Sequence, residues 1–180
     1  MKQWLLVLTV CAASHSIQAQ STKQAQSSKA SSTFQDHLYV GGGLSRNDLG
    51  SFDDATGYQF FAGYNLGYKI GEIGASTAVE IGYMDSGDFD QNVFVPIFGQ
   101  DARFTYSAKG LWATSLLRLP LNSTVDLIGR AGIDIGDDDG FMFGGGIEFN
   151  ASKQWGVRLE FVSRDEVDSL QANFVYYPQR

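Results

Sequence analysis

Residues 125–149 read VDLIGRAGIDIGDDDGFMFGGGIEF. In the first half, Val125, Leu127, Gly129, Ala131, Ile133 and Ile135 fall on one parity, and Asp126, Ile128, Arg130, Gly132 and Asp134 on the other. After an acidic break, Phe141, Phe143, Gly145, Ile147 and Phe149 oppose Met142, Gly144, Gly146 and Glu148. Side chains of an extended strand point alternately to opposite faces, so a period of two presents one apolar face and one polar-or-small face. Two such runs joined by three aspartates and a glycine predict an antiparallel hairpin.

The pattern repeats outward in both directions. Upstream runs put Leu38, Val40 and Leu44 opposite Tyr39, Gly41, Gly43 and Ser45, and Tyr58, Phe60, Ala62, Tyr64 and Leu66 opposite Gln59, Phe61, Gly63 and Asn65. Thr77, Val79, Ile81 and Tyr83 then oppose Ala78, Glu80 and Gly82, and Leu111, Ala113, Ser115, Leu117 and Leu119 oppose Trp112, Thr114, Leu116 and Arg118. Downstream, Val157, Leu159 and Phe161 oppose Arg158 and Glu160, and Leu170, Ala172, Phe174 and Tyr176 oppose Gln171 and Asn173. The count is eight strands. The segments 46–56, 85–102, 136–139 and 164–168 form one set of connections, polar and mostly acidic; 66–74, 120–123 and 150–154 form the other. None holds a helical crossover, so the strands are expected to meander up and down as antiparallel neighbours.

Composition narrows the class. The chain has 180 residues, 21 of them Gly and only 3 Pro, with 13% aromatic and 18% charged residues. That length suits one domain with a sizeable core. The net charge of −7 argues against a nucleic-acid partner, which would require a basic face. A single cysteine, Cys11, excludes an internal disulfide or a multi-cysteine metal site. Residues 1–19 read as a secretory signal peptide: Lys2 supplies the charge, 4–13 the short apolar stretch, and Ala19 the expected last residue. Its removal takes away Cys11, Lys2 and His15. Residues 20–36, rich in Ser, Gln, Lys and Thr, read as a flexible polar leader, and 37–177 as the barrel domain.

Alternation alone fits two architectures. A soluble periplasmic lipocalin-like barrel binding a small ligand buries its apolar face; a membrane barrel turns that face to lipid. An eight-stranded barrel leaves an interior just wide enough for side chains to fill. Tyr58, Phe60, Tyr64, Tyr83, Phe141, Phe143, Phe149, Phe161, Phe174 and Tyr176 are too bulky to share it. The opposite, glycine-rich face suits a crowded lumen. The expected fold is therefore all-β: an eight-stranded antiparallel up-and-down transmembrane β-barrel.

The stretches at 39–43 (YVGGG), 57–64 (GYQFFAGY), 78–83 (AVEIGY), 129–132 (GRAG) and 144–149 (GGGIEF) resemble the eight-stranded outer-membrane β-barrels of the OmpA/OmpX type. The resemblance runs from about residue 37 to 177. It implies location in the cell outer membrane, contact with outer-membrane lipid, and handling by periplasmic chaperones and the barrel-insertion machinery. It also implies a monomer with both termini and the short turns on the periplasmic side. Such chains commonly end on an aromatic read by that machinery; here the end is Tyr176-Tyr177-Pro178-Gln179-Arg180, so Phe174 and Tyr176 are left to serve.

The lumen parity collects Glu80, Arg118, Asp126, Arg130, Asp134, Glu148, Arg158, Glu160 and Arg164. Four cations and five anions confined to one narrow interior must pair, because an isolated buried charge costs several kcal/mol. Glu148 with Arg158, and Arg118 with Asp126, flank the same turns and are expected to meet. This network specifies a plugged interior, with a switchable ion-pair gate as the alternative. No enzymatic site is expected: His37 is the one histidine outside the signal segment, and it sits at the end opposite the acidic loops. Asp137-Asp138-Asp139-Gly140 lacks the spaced ligands of a calcium loop and reads as a solvated hairpin tip. No cofactor or metal is expected. The function expected is structural or surface-interacting, through acidic extracellular loops whose ligand the sequence does not name. A narrow channel for ions or small solutes is the alternative.

Overall fold

A computed structural model describes residues 34–50, 52–95, 97 and 100–178. The segments read as signal peptide and most of the leader therefore lie outside the described residues. Ten strands follow in order: β1 (Leu38–Asp48), β2 (Ala55–Ile70), β3 (Ala75–Asp85), β4 (Phe89–Val95), β5 (Gln100–Tyr106), β6 (Lys109–Pro120), β7 (Val125–Gly136), β8 (Gly140–Asn150), β9 (Trp155–Ser163) and β10 (Asp168–Tyr176). Eight of them close a barrel in the order β1-β10-β9-β8-β7-β6-β3-β2, every pair antiparallel. The eight alternating runs are these eight strands.

The connection at 85–102 is where the sequence reading falls short. It is not an irregular loop. β4 and β5 pair as a separate hairpin that extends to Tyr106 and stands at the barrel end away from the chain termini. Strand pairing there is held on its polar face by Asp90, whose carboxylate accepts hydrogen bonds from Arg103 and Thr105. These bonds hold the Asp90 carboxyl below its ordinary range. Arg103, one residue beyond the 85–102 connection, is exposed and lies within β5.

The barrel wall sorts residues by parity. Leu44, Phe60, Ile81, Leu111, Phe141, Phe161 and Phe174 are among the large apolar side chains exposed on the outside. A soluble barrel would leave such a wall in water, where contiguous apolar patches are rare. Strands of 9 to 16 residues are long enough for a tilted transmembrane strand, which requires about 9–11. Rings gather toward the terminal end, where Trp155 packs at a tilt against Tyr176, 4.6 Å between ring centres, and Phe34 against Tyr64 at 5.2 Å.

Inside, the wall is lined by small and polar residues that leave room for a few large ones. Gly63 faces Tyr39, and a Cβ at that position would fall within the tyrosine ring. Glycine is what admits an aromatic to so narrow a lumen. Gly67, at φ +72°, lies in the irregularity of β2 between Asn65 and Lys69, where pairing with β3 shifts register. A bulge there bends the β2–β3 hairpin.

Candidate functional site

Strand register decides which lumen charges meet. Glu148 and Arg158 are direct partners across β8 and β9, and Asp126 pairs with Glu148 across β7 and β8. Arg118 is opposite Ile128, so it reaches Asp126 only diagonally, at 3.8 Å. All nine charged residues named from the sequence are buried.

Arg158 is the hub. It is wholly buried, with Nη1 donating to Glu80 at 2.8 Å and Nη2 to Glu148 at 2.9 Å, and Glu160 lies 3.9 Å away. Arg130 bridges Glu160 at 2.9 Å and Glu80 at 3.1 Å. Arg118 donates to Glu148 at 3.3 Å and to Asn65 at 3.1 Å. Asp126 accepts from the Asn150 amide at 3.0 Å. Seven of the nine thus form one linked cluster. Charge-assisted, forked arginine bonds of this kind are the strong class of hydrogen bond and fix geometry as well as energy.

Aromatic rings complete the coordination. Tyr39 donates its hydroxyl to Glu80 at 2.6 Å. Tyr177 donates to Glu148 and accepts from Arg118 at 2.8 Å. The Arg158 guanidinium lies 5.2 Å from the Phe61 ring centre, and that of Arg130 lies 5.2 Å from Trp112. A cation over a ring face gains electrostatic stabilisation without needing water. These four aromatics pack around the ions inside the barrel. Sequence reasoning passed over Tyr39 and Tyr177, although both carry a hydroxyl on the lumen parity.

The remaining two charges form a second pair nearer the far end. Arg164 donates to Asp134 at 2.8 Å and to Ser169 at 2.9 Å. The chain continues from Ser169 to Asn47 at 2.7 Å and from Asn47 to the Ser86 carbonyl at 2.7 Å. Between the two groups lies an uncharged amide layer, in which Gln59 donates to Gln171 at 2.6 Å and to Asn173 at 2.9 Å.

The far mouth has its own apolar cap. Ala55, Phe89, Ala108 and Val167 are buried together, with Leu49, Phe52 and Tyr106 packed against them. The aspartate run also departs from expectation. Asp138 is buried, and its carboxylate accepts from the backbone of Glu166 at 2.9 Å and Val167 at 3.3 Å. It ties the β7–β8 turn to the β9–β10 turn, satisfying amides that would otherwise be orphaned. Asp137 and Asp139 are exposed as a hairpin tip should be.

The sequence profile of the outer membrane protein beta-barrel domain matches residues 5–176. The chain belongs to this family. It is thus an outer-membrane β-barrel, crossing the bilayer by strands, and its apolar wall faces lipid. That overturns the soluble lipocalin-like alternative. Among solved structures, a barrel from the de novo design of transmembrane β-barrels is similar, with a TM-score of 0.53 at 12% identity over 78% of this chain and 94% of that one. Ail, the attachment invasion locus protein of Yersinia pestis, gives a TM-score of 0.47 at 12% identity over 78% and 95%. Neisserial surface protein A gives 0.48 at 12% identity over 78% and 96%. No curated protein matches the chain.

Proposed function

We propose that this outer-membrane barrel is a charge-plugged, non-catalytic cylinder whose task is to present its far-end loops outside the cell. The observation that carries this reading is the seven-membered buried cluster centred on Arg158, flanked by four aromatic rings. Its members pair with one another across the lumen, and a solute would have to break those ion pairs apart in order to pass. Above it, the amide layer, the Asp134–Arg164 pair and the apolar cap add three further obstructions. The narrow-channel reading has no comparable observation behind it.

With an even number of strands, both termini share one side of the membrane. In barrels of this kind the short turns face the periplasm and the longer connections face outward. The β2–β3, β6–β7 and β8–β9 turns lie at the terminal end, and the 49–54 loop and the β4–β5 hairpin at the other. Outer-membrane lipid is the surrounding partner, and chaperones and insertion machinery serve only biogenesis. Cysteine scanning on intact cells tests the orientation. Asp53→Cys and Asn92→Cys should react with a membrane-impermeant thiol reagent, and Lys153→Cys should react only after the outer membrane is opened. Labelling of Lys153→Cys alone on intact cells would reverse the topology and remove the surface role.

A further inference from the structure

The far-end cap carries a cavity of about 450 Å³, open to solvent, lined by Leu49, Gly50, Phe52, Tyr106 and, exposed at its rim, Glu166. That volume falls within the range of small-ligand sites, which are mostly apolar with a few placed polar groups. Its lining comes from three separate connections: the loop after β1, strand β5, and the β9–β10 turn. Each is tied in place. Phe52 N–H donates to the Leu49 carbonyl at 3.2 Å, the Phe89 ring stacks beneath Tyr106 at 6.4 Å, and the backbone of Glu166 is held by Asp138.

Charge selects the ligand. Among the described lining residues Glu166 is the one charged group. The exposed Asp53 and Asp165 lie on the same connections as the cavity, and the exposed Asp137, on the neighbouring β7–β8 turn, accepts from the Tyr106 hydroxyl through its backbone carbonyl at 3.4 Å. The cations of this end are already engaged: Arg46 with Asp54 at 2.6 Å, Lys109 with Asp85 at 3.0 Å, and Arg103 with Asp90. The field at the mouth is therefore negative, and it concentrates cations at the cavity. Tyr106 registers that field: burial, and then the charges of Glu166, Asp138 and Asp137, hold its phenol above the ordinary tyrosine range. Among the described residues no cluster of His, Cys, Asp or Glu fits a metal ion. The aromatic rings of Phe52 and Tyr106 in the lining suit a larger, softly hydrated cation.

We infer that this cavity is a binding site for small organic cations with an apolar body, held between Phe52 and Tyr106 and neutralised by Glu166. The inference deepens the surface-interaction reading by naming a ligand class. Its test is read on purified protein in phospholipid nanodiscs, so it does not depend on which way the barrel is inserted in cells.

Calorimetric titration with benzyltrimethylammonium, benzyl alcohol and benzoate should give affinities in that order, with benzoate not binding. Glu166→Gln should weaken the cation about fivefold or more and leave benzyl alcohol unchanged, while Phe52→Ala should weaken both. Asp165→Asn, which removes a nearby charge outside the lining, should have the smaller effect. Equal affinities for all three probes would overturn the site. So would a loss from Asp165→Asn as large as that from Glu166→Gln, since a diffuse field and not the cavity would then be binding.

Discussion

Arg158→Ala should lower the unfolding free energy of the barrel by roughly 3–5 kcal/mol, the cost of removing one partner from a buried ion pair. The side chain is wholly buried and serves Glu80 and Glu148 directly, with Glu160 close by. Truncation leaves carboxylates facing one another with only Arg130 and Arg118 to offset them. Adding Glu148→Ala should recover part of the loss, because residues sharing one network do not act additively. Arg103→Ala is the control. Its side chain is 66% exposed in the β4–β5 hairpin, and exposed pairs contribute little. Urea midpoints in detergent micelles, with unfolding slopes compared to exclude a change in the denatured state, would measure all three. An Arg158→Ala midpoint no lower than that of Arg103→Ala would mean the lumen is well solvated.

The second large effect belongs to the outer wall. Ile81 is 66% exposed in the middle of β3, between Ala62 of β2 and Ala113 of β6. In a soluble barrel an exposed isoleucine would tolerate arginine, or gain from it. On a lipid-facing wall near the bilayer midplane, Ile81→Arg should cost about 2–4 kcal/mol. The neighbouring Glu80 points the other way and is buried, so the penalty depends on parity. Refolding into lipid vesicles, followed by the heat-dependent gel shift of folded barrels, would report the loss. Full folding of Ile81→Arg would contradict the lipid-facing assignment.

How far the sequence could be read follows from the physics of a strand. Parity is a local property, so the outward Phe141 and Phe143 and the inward Glu148 and Arg130 were legible without a structure. Hairpin partners such as Glu148 and Arg158 were legible too, because a short turn fixes which residues face each other. Partners across the barrel were not. Glu80 and Arg158 are 78 residues apart, and only the closed register brings them together.

The β4–β5 hairpin escaped notice for a different reason. Strands outside the membrane have no lipid to face, and in 89–106 the parity is blurred: Gln91 breaks it in β4, and residues 93–98 form an unbroken apolar run containing Pro96. Asp138 shows the same limit at a single residue. Nothing in three consecutive aspartates marks the middle one as buried, because its partners are the amides of Glu166 and Val167 on another turn.

The central claim is that the lumen is closed by its own charges, and single-channel recording of the refolded protein in planar bilayers tests it most directly. The account predicts that the unaltered barrel passes no steady current, and that openings appear or lengthen in Arg158→Ala, where the hub of the cluster is gone. A large, stable conductance from the unaltered protein, unchanged by Arg158→Ala, would contradict it.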